Sequence, residues 1–439
     1  MRLQLSAPTW ALGAAIASLA GVVMASPTES ALASHVGAED TATVAASSSA
    51  GTAATPVPAS DAASAKGPSR LPFIARASGA TTFYADTDHV TVVTPVATAE
   101  LSDRYSVWNV RAEYLVDVIS AASVDIVSTA SQHWREVRQA GALQASYKPH
   151  DLGVRASGAL SREPDYSSTA AGLDVLWDFA KQGHTAFLGY ARDQDTIGRE
   201  GTPFSVFSRS LAQDSIQGGV SLTLGPAAVL SLTNELILER GDQSKPYRYI
   251  PMFSAAVAPT IAKGESIDDV NDKRLQARPL EQLPLTRQRY SLTARFGYRF
   301  AHATLRADER LYADTWNLHA TTTEVRYIAD LSRRWTAWPW VRFHAQTPVY
   351  FWNRAYIARF GPDGIFDLPQ YRTGDRELGP LYNVGLGAGA SYGIGSSENP
   401  SSVTVQLHGG MIHTEFLDDL YVTARTAVLA SLTLLGVFE

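Results

Sequence analysis

The sequence predicts an all-β fold: an antiparallel up-and-down transmembrane β-barrel of about 16 strands, with about 14 as the alternative, behind a disordered N-terminal segment. Three observations carry this prediction. Strand-length segments alternate apolar and polar residues with period two. Their connections alternate between short turns and longer polar loops. Aromatic residues gather near both ends of the segments.

Alternation is clearest from Tyr290 to Phe300. Tyr290, Leu292, Ala294, Phe296, Tyr298 and Phe300 form one face, and Arg289, Ser291, Thr293, Arg295, Gly297 and Arg299 the other. Neighbouring side chains on a strand point to opposite faces, so one face is apolar and the other polar. The pattern recurs from Trp108 to Val118, Leu152 to Leu160, Leu173 to Phe179, Tyr382 to Ile394 and Thr426 to Phe438. No long segment has the 3.6-residue period of a helix.

Short turns fall near Ser102-Asp103-Arg104, Lys148-Pro149-His150, Lys181-Gln182-Gly183, Gly225-Pro226, Ala301-His302, Ser332-Arg333 and Ser396 to Ser401. The longest of the other connections run from Gly241 to Thr286 and from Asn353 to Pro380. Short turns on one rim and long loops on the other are the arrangement of membrane barrels. Counting from these turns gives fifteen strands after about His89, and even parity asks for one more, supplied by Gly79 to Thr87. Tyr105, Tyr147, Phe179, Phe300, Trp335, Tyr392 and Phe438 stand beside the turns. Tyr84, Tyr166, Tyr190, Trp316, Tyr350, Trp352 and Phe416 stand at the far strand ends. Amphipathic rings collect at membrane interfaces, so these sets predict two belts. A soluble periplasmic β-protein with strand-end aromatics in its core is the alternative fold.

The N-terminus reads as a secretory signal over residues 1–25: Arg2, an apolar stretch from Trp10 to Val23, and a small-residue cleavage site at Val23-Met24-Ala25. An N-terminal membrane anchor is the alternative. Residues 26–77 are Ala, Ser, Thr, Pro and Gly with scarcely an aromatic, and such a segment buries too little apolar surface to offset its ordering entropy. Nowhere else do about 18 apolar residues run together, so the expected organisation is signal, periplasmic segment and a barrel over residues 78–439. The protein is thus expected to be exported to a bacterial outer membrane.

Several chemistries lack their residues. There is no cysteine in 439 residues, which excludes disulfides, thiolate metal sites and a cysteine nucleophile. Net charge is -6 at pH 7, which gives no reason to expect nucleic acid as a partner. Gly385-x-Gly387-x-Gly389 misses the dinucleotide fingerprint because Tyr392 replaces the third glycine, so small residues on a lumen face are the better reading. Asp268, Asp269, Asn271 and Asp272 lack the glycine of an EF-hand, so a solvated loop is preferred to a weak divalent-cation site. The histidines are scattered. His344 and His408 fall on strands, and pairs such as Glu235 with His344 leave open a membrane-embedded hydrolase. No cofactor or metal is called for, and no catalytic residue is assigned.

The lumen face carries the candidate functional residues. Arg289, Arg295, Arg299, Arg306, Arg310, Arg326 and Arg342, with Asp308 and Glu324, project inward in the C-terminal half. Glu113, Asp117, Asp174, Asp178, Glu235 and Glu239 do so in the N-terminal half. A basic wall facing an acidic wall would set up a transverse field that orients polar solutes. The competing reading is that the charges neutralise one another in a filled lumen. The expected partners are outer-membrane lipid, the barrel-assembly machinery and small polar solutes. A structural or adhesive barrel is the alternative function, with Tyr249, Trp352 and Tyr356 of the long loops as its contacts.

Six segments stand in order along the chain: Ile119-Ser120-Ala121-Ala122-Ser123-Val124-Asp125, Ser161-Arg162-Glu163-Pro164-Asp165-Tyr166, Pro246-Tyr247-Arg248, Tyr312-Ala313-Asp314-Thr315-Trp316, Glu324-Val325-Arg326 on the next strand, and Tyr371-Arg372-Thr373-Gly374-Asp375. Together they resemble an uncharacterised bacterial family labelled "domain of unknown function 3570", over about residues 80 to 438. The resemblance implies an outer-membrane β-barrel and carries no catalytic residues. The chain closes on Phe438-Glu439, one residue past the terminal aromatic usual in such barrels. Asp314, Trp316, Tyr371, Arg372 and Asp375 fall at the barrel mouth, where they either pack the loops or meet a ligand.

Overall fold

The computed structural model describes residues 73–121, 134–180, 183–199, 201–246, 248–361, 366–395 and 402–438. The expected signal peptide, residues 26–72, the Lys181-Gln182 and Ser396 to Ser401 turn residues, Ala122 to Asp125 and Tyr247 lie outside them.

Sixteen antiparallel strands close into one barrel. They are β1 (Phe73–Asp86), β2 (Thr91–Asp103), β3 (Trp108–Ala121), β4 (Trp134–Tyr147), β5 (Leu152–Arg162), β6 (Tyr166–Phe179), β7 (His184–Ile197) and β8 (Arg209–Gly225). The second half is β9 (Ala228–Gly241), β10 (Thr286–Arg299), β11 (Ala303–Asp314), β12 (His319–Asp330), β13 (Trp335–Gln346), β14 (Leu381–Ile394), β15 (Ser402–Phe416) and β16 (Ala424–Phe438). Each strand pairs with its sequence neighbours, and β1 closes the circle on β16 through pairs such as Gly79 with Leu434 and Phe83 with Ala430. Closure leaves no strand edge, and an open edge in lipid would strand backbone N–H and C=O groups without partners. β1 begins at Phe73, five residues before the expected barrel boundary at 78.

The faces are inverted relative to a soluble core. Outward Leu160 and Leu188 are 64% and 63% exposed, while inward Thr82 and Thr94 are 0% exposed. An apolar exterior around a polar interior suits hydrocarbon surroundings, and it rules against the soluble alternative.

Both described termini of the barrel, Phe73 and Phe438, lie on the turn rim. The other rim is less regular than expected. Connections 87–90, 163–165 and 315–318 on it are as short as the turns, and the contrast rests mainly on 198–208, 242–285 and 347–380.

The aromatic belt on the turn rim is present. Tyr105, Tyr147, Phe300, Trp335 and Phe438 are exposed there, and Trp335 packs at a tilt against Tyr392, with ring centroids 4.7 Å apart. The far belt needs correction. Tyr84, Tyr166, Trp316 and Phe416 are buried, because the first two and Phe416 stand at inward positions and Trp316 lies under a loop. Of the expected set, Tyr190 and Tyr350 are exposed, and outward Phe83, Tyr290, Phe343 and Tyr382 supply further exposed rings on that side. Nearness to a strand end does not set the face; parity along the strand does.

Candidate functional site

All fifteen charged residues expected on the lumen face stand at inward positions of their strands. Their partners differ from expectation. On the wall from β3 to β6, Arg111 pairs with Glu113 at 3.0 Å, Arg138 with Asp117 at 2.5 Å and Arg155 with Asp174 at 3.9 Å. Lys148 reaches Asp178 at 2.5 Å near the turn rim. This wall is therefore balanced rather than acidic, since Arg111, Arg138 and Arg155 share the inward face with the carboxylates.

The wall from β9 to β13 is richer in cations. Arg289 pairs with Glu239 at 3.1 Å, Arg310 with Glu235 at 3.7 Å, and Arg326 with Glu324 at 2.9 Å. Arg295 and Arg306 share Asp308, at 2.9 and 2.8 Å. Arg287 holds Asp314 at 2.5 Å, and Arg299 pairs with Asp330 near the turn rim. These contacts are short and on one wall or between neighbouring strands. They act as ladders of mutual neutralisation, not as two opposed plates.

Beside this wall lies an aromatic arc. Trp338 and Trp340 are inward on β13, and their register partners on β14 are Gly389 and Gly387. A Cβ at Gly389 would stand 2.3 Å from Trp338 Cε2, and one at Gly410 on β15 would stand 2.3 Å from Trp340 Cζ2. The glycines thus let the indoles lie flat across β14 and reach His408, where the Trp340 and His408 rings stack at 5.8 Å and 7°. Tyr84, Val92, Ile412, Ala427 and Leu429 continue the arc through the β16–β1 seam. The glycine run is therefore a packing device, in keeping with small residues on a lumen face.

The two long loops fold together over the loop rim. Phe253, Ile261 and Val270 of the first pack with Ala355 of the second and Leu420 of connection 417–423. Leu283, Trp316, Val349, Phe351 and Leu378 form a second apolar cluster. The acidic run Asp268-Asp269 opens the short helix α1 (Ile267–Lys273), capped by Ser266, whose side chain accepts from the Asp269 N–H. Carboxylates in a first helical turn complement the exposed amide ends, which accounts for this cluster without an ion. Among the described residues no group of three or more His, Asp or Glu side chains is placed to hold a metal. Lys273 and the Ala262 N–H hold the Glu265 carboxyl below the usual carboxylate range.

Of the mouth residues expected from the sequence, Tyr371, Arg372 and Asp375 belong to this lid, Trp316 packs beneath it, and Asp314 ends β11 at its edge. Arg372 donates to the Leu280 and Pro369 carbonyls. Asp375 pairs with Arg248 at 2.7 Å. Asp314 accepts from the Trp316 and Leu318 N–H groups, and Tyr371 packs on Phe351. Arg376 ties the lid to Asp88 in the β1–β2 connection at 2.5 Å, and Arg425 on β16 reaches Glu377 at 3.0 Å. Burial pushes the Asp88 carboxyl up against the pull of Arg376. The adhesive contacts expected at Trp352 and Tyr356 are internal: Trp352 donates to the Asp418 carbonyl, and buried Tyr356 donates to the Phe351 carbonyl. Tyr249 bridges to Leu280 and lies under the Arg278 guanidinium.

Glu235 and His344 are not joined as a catalytic pair. His344 Nδ1 meets Thr322 Oγ1 at 2.8 Å and Nε2 meets Gln346 Oε1 at 3.3 Å, while Glu235 faces Arg310. The alternation puts Arg111, Arg155 and Asn383 on the polar face without singling them out as candidates, and it leaves Arg138, Trp338 and Trp340 unplaced. Strand parity alone would have placed them inward.

A closed, lipid-facing barrel with a charged interior defines the class: an outer-membrane type of β-barrel. A family model described as "Protein of unknown function (DUF3570)" matches residues 216–404, from β8 to β15. Among solved structures, the siderophore receptor PirA from Acinetobacter baumannii is similar at 11% identity and a TM-score of 0.40, covering 80% of this chain. The chain spans about half the length of that receptor, 54%. A bacterial polysaccharide outer membrane secretin is similar at 9% identity and a TM-score of 0.41, over 84% of this chain and 98% of that one. The outer membrane protein opdK from Pseudomonas aeruginosa is similar at 8% identity and a TM-score of 0.38, over 83% and 99%. No curated protein matches the sequence.

Proposed function

We propose that this protein is a channel or transporter for small polar or charged solutes in a Gram-negative outer membrane, exported by a cleaved signal peptide and seated by the barrel-assembly machinery. The observation that carries the reading is the polar interior beneath a folded lid. Inward groups on the loop-side half, such as Arg289, Asn383 and Thr414, are buried, whereas Arg299 and Asp330 near the turn rim are partly exposed. Barrels of about 16 strands are wide enough to hold water. The lid and the large inward side chains are what narrow this one at the loop side.

The test is conductance in planar bilayers. Wild-type protein should give small or infrequent steps. Arg376→Gln, which removes the tie to Asp88, should make them larger or more frequent. Absence of steps from both proteins would overturn the reading.

The ion-pair ladders favour one competing function, a structural barrel with a filled lumen. That function requires both proteins to be silent and liposomes carrying either one to exclude small solutes.

A further inference from the structure

Arg342 differs from the other inward arginines. It is 4% exposed, and its Nε and Nη2 atoms have no hydrogen-bond partner among the described residues. Its register neighbour on β12, Glu324, pairs with Arg326 instead. Arg310, 5% exposed, leaves Nε and Nη1 without partners and meets Glu235 only at 3.7 Å through Nη2. In register, Arg310 is level with Thr322 on β12 and His344 on β13, and Arg342 stands two positions along β13 from His344, on the same inward face. Asn383 stands on β14, two positions along from Gly385, the register partner of Arg342. It is 1% exposed, and neither its Oδ1 nor its Nδ2 has a hydrogen-bond partner among the described residues.

The charge count points the same way. On the inward face from β9 to β13, apart from the Arg299–Asp330 pair, Arg287, Arg289, Arg295, Arg306, Arg310, Arg326 and Arg342 meet Glu235, Glu239, Asp308, Asp314 and Glu324. That is seven cations against five carboxylates. A buried cation without a counter-charge is costly, and so is a buried amide without hydrogen bonds. A guanidinium presents its N–H groups as a planar fork that matches two oxygens of one oxyanion.

We propose that Arg310, Arg342 and Asn383 form a lumen site for a phosphate-type oxyanion, free or carried on a small solute. Its oxygens accept from both arginines and from the Asn383 amide N–H. A protonated phosphate oxygen also donates to Asn383 Oδ1, which a carboxylate cannot do. The site deepens the channel reading, because it names the solute class that the narrow part of the lumen selects.

The experiment uses the full chain in detergent, titrated calorimetrically with inorganic phosphate, glycerol phosphate and acetate. Phosphate should bind at one site and raise the melting temperature, with acetate at least tenfold weaker. Binding of glycerol phosphate as well marks a carried phosphate, and binding of inorganic phosphate alone marks the free ion. Arg342→Gln should weaken binding at least tenfold. Asn383→Asp places a carboxylate beside Arg342. It should abolish phosphate binding while melting, without phosphate, no lower than wild type, so misfolding cannot imitate the result. Arg299→Gln, near the turn rim, should bind as wild type does. No phosphate binding by wild type, or binding that survives Asn383→Asp, overturns the site. Phosphate binding without bilayer conductance keeps the site and removes the channel; conductance without phosphate binding does the reverse.

Discussion

From β3 to β6, Arg138 is held by Asp117 through both Nε and Nη2, at 2.6 and 2.5 Å, and both side chains are buried. From β9 to β13, Arg342 is equally buried but meets no carboxylate among the described residues, and its neighbours Glu324 and Asp308 are engaged by other arginines. The residue types are the same on the two walls, yet their energetics differ. Where charges match one to one, the lumen wall is a structural ladder. Where arginines outnumber carboxylates, the wall holds charge that something else must balance.

The sharpest way to break this comparison is to remove one carboxylate from the balanced wall. Asp117→Asn leaves Arg138 buried without its partner and should cost about 3–5 kcal/mol. Urea titration in lipid vesicles reads the loss. Arg342→Gln should change stability by less than about 1 kcal/mol in phosphate-free buffer, or raise it, because it removes an unbalanced charge. Equal losses in the two variants would erase the distinction between the walls.

Trp340→Ala empties the space above Gly387 and Gly410, and should cost about 3–5 kcal/mol in the same titration. Gly387→Ala probes that packing from beneath. Its Cβ would stand 2.7 Å from Trp340 Cε2 and 2.2 Å from the Gly409 carbonyl oxygen, so a loss of about 1–3 kcal/mol is expected. Gly297→Ala, inward on β10 with nothing within 4 Å of the added carbon, should leave the urea midpoint unchanged. A matching loss at Gly297 would show that the turn-side half is as tightly filled as the loop-side half.

The smallest effect concerns the lid. Hydrogen bonding to Lys273 depresses the Glu265 carboxyl, so its stabilisation is present above the ordinary carboxylate range and is lost as pH falls through the depressed value. Amide exchange at Val270, whose N–H donates to the Ser266 carbonyl, should lose protection as acid is added, before the barrel strands do. Protection unchanged until the strands open would deny the lid any separate stability.

Much of the barrel was legible because its signals are local. Period-two alternation placed Arg289 and Arg295 inward and Tyr290 and Phe296 outward without knowledge of any neighbour. Turn chemistry and parity led to sixteen strands. The lid was not legible, because its apolar residues, such as Phe253, Ile261 and Leu420, come from connections far apart in the chain and show no period. The far aromatic belt was misread where position along a strand was weighed and its face was not.

By itself, the sequence determined the inside and outside of the barrel, its strand number and the kinds of charge in its lumen. These follow from an alternation that each strand expresses alone. Only the tertiary structure decided which arginine meets which carboxylate, and that Trp338 and Trp340 lie opposite glycines. Those outcomes depend on the register between strands, where a shift of one residue exchanges the two faces and a shift of two exchanges the partners. Arg342 shows the difference plainly: alternation places it in the lumen, but only the register shows Glu324 beside it already taken by Arg326.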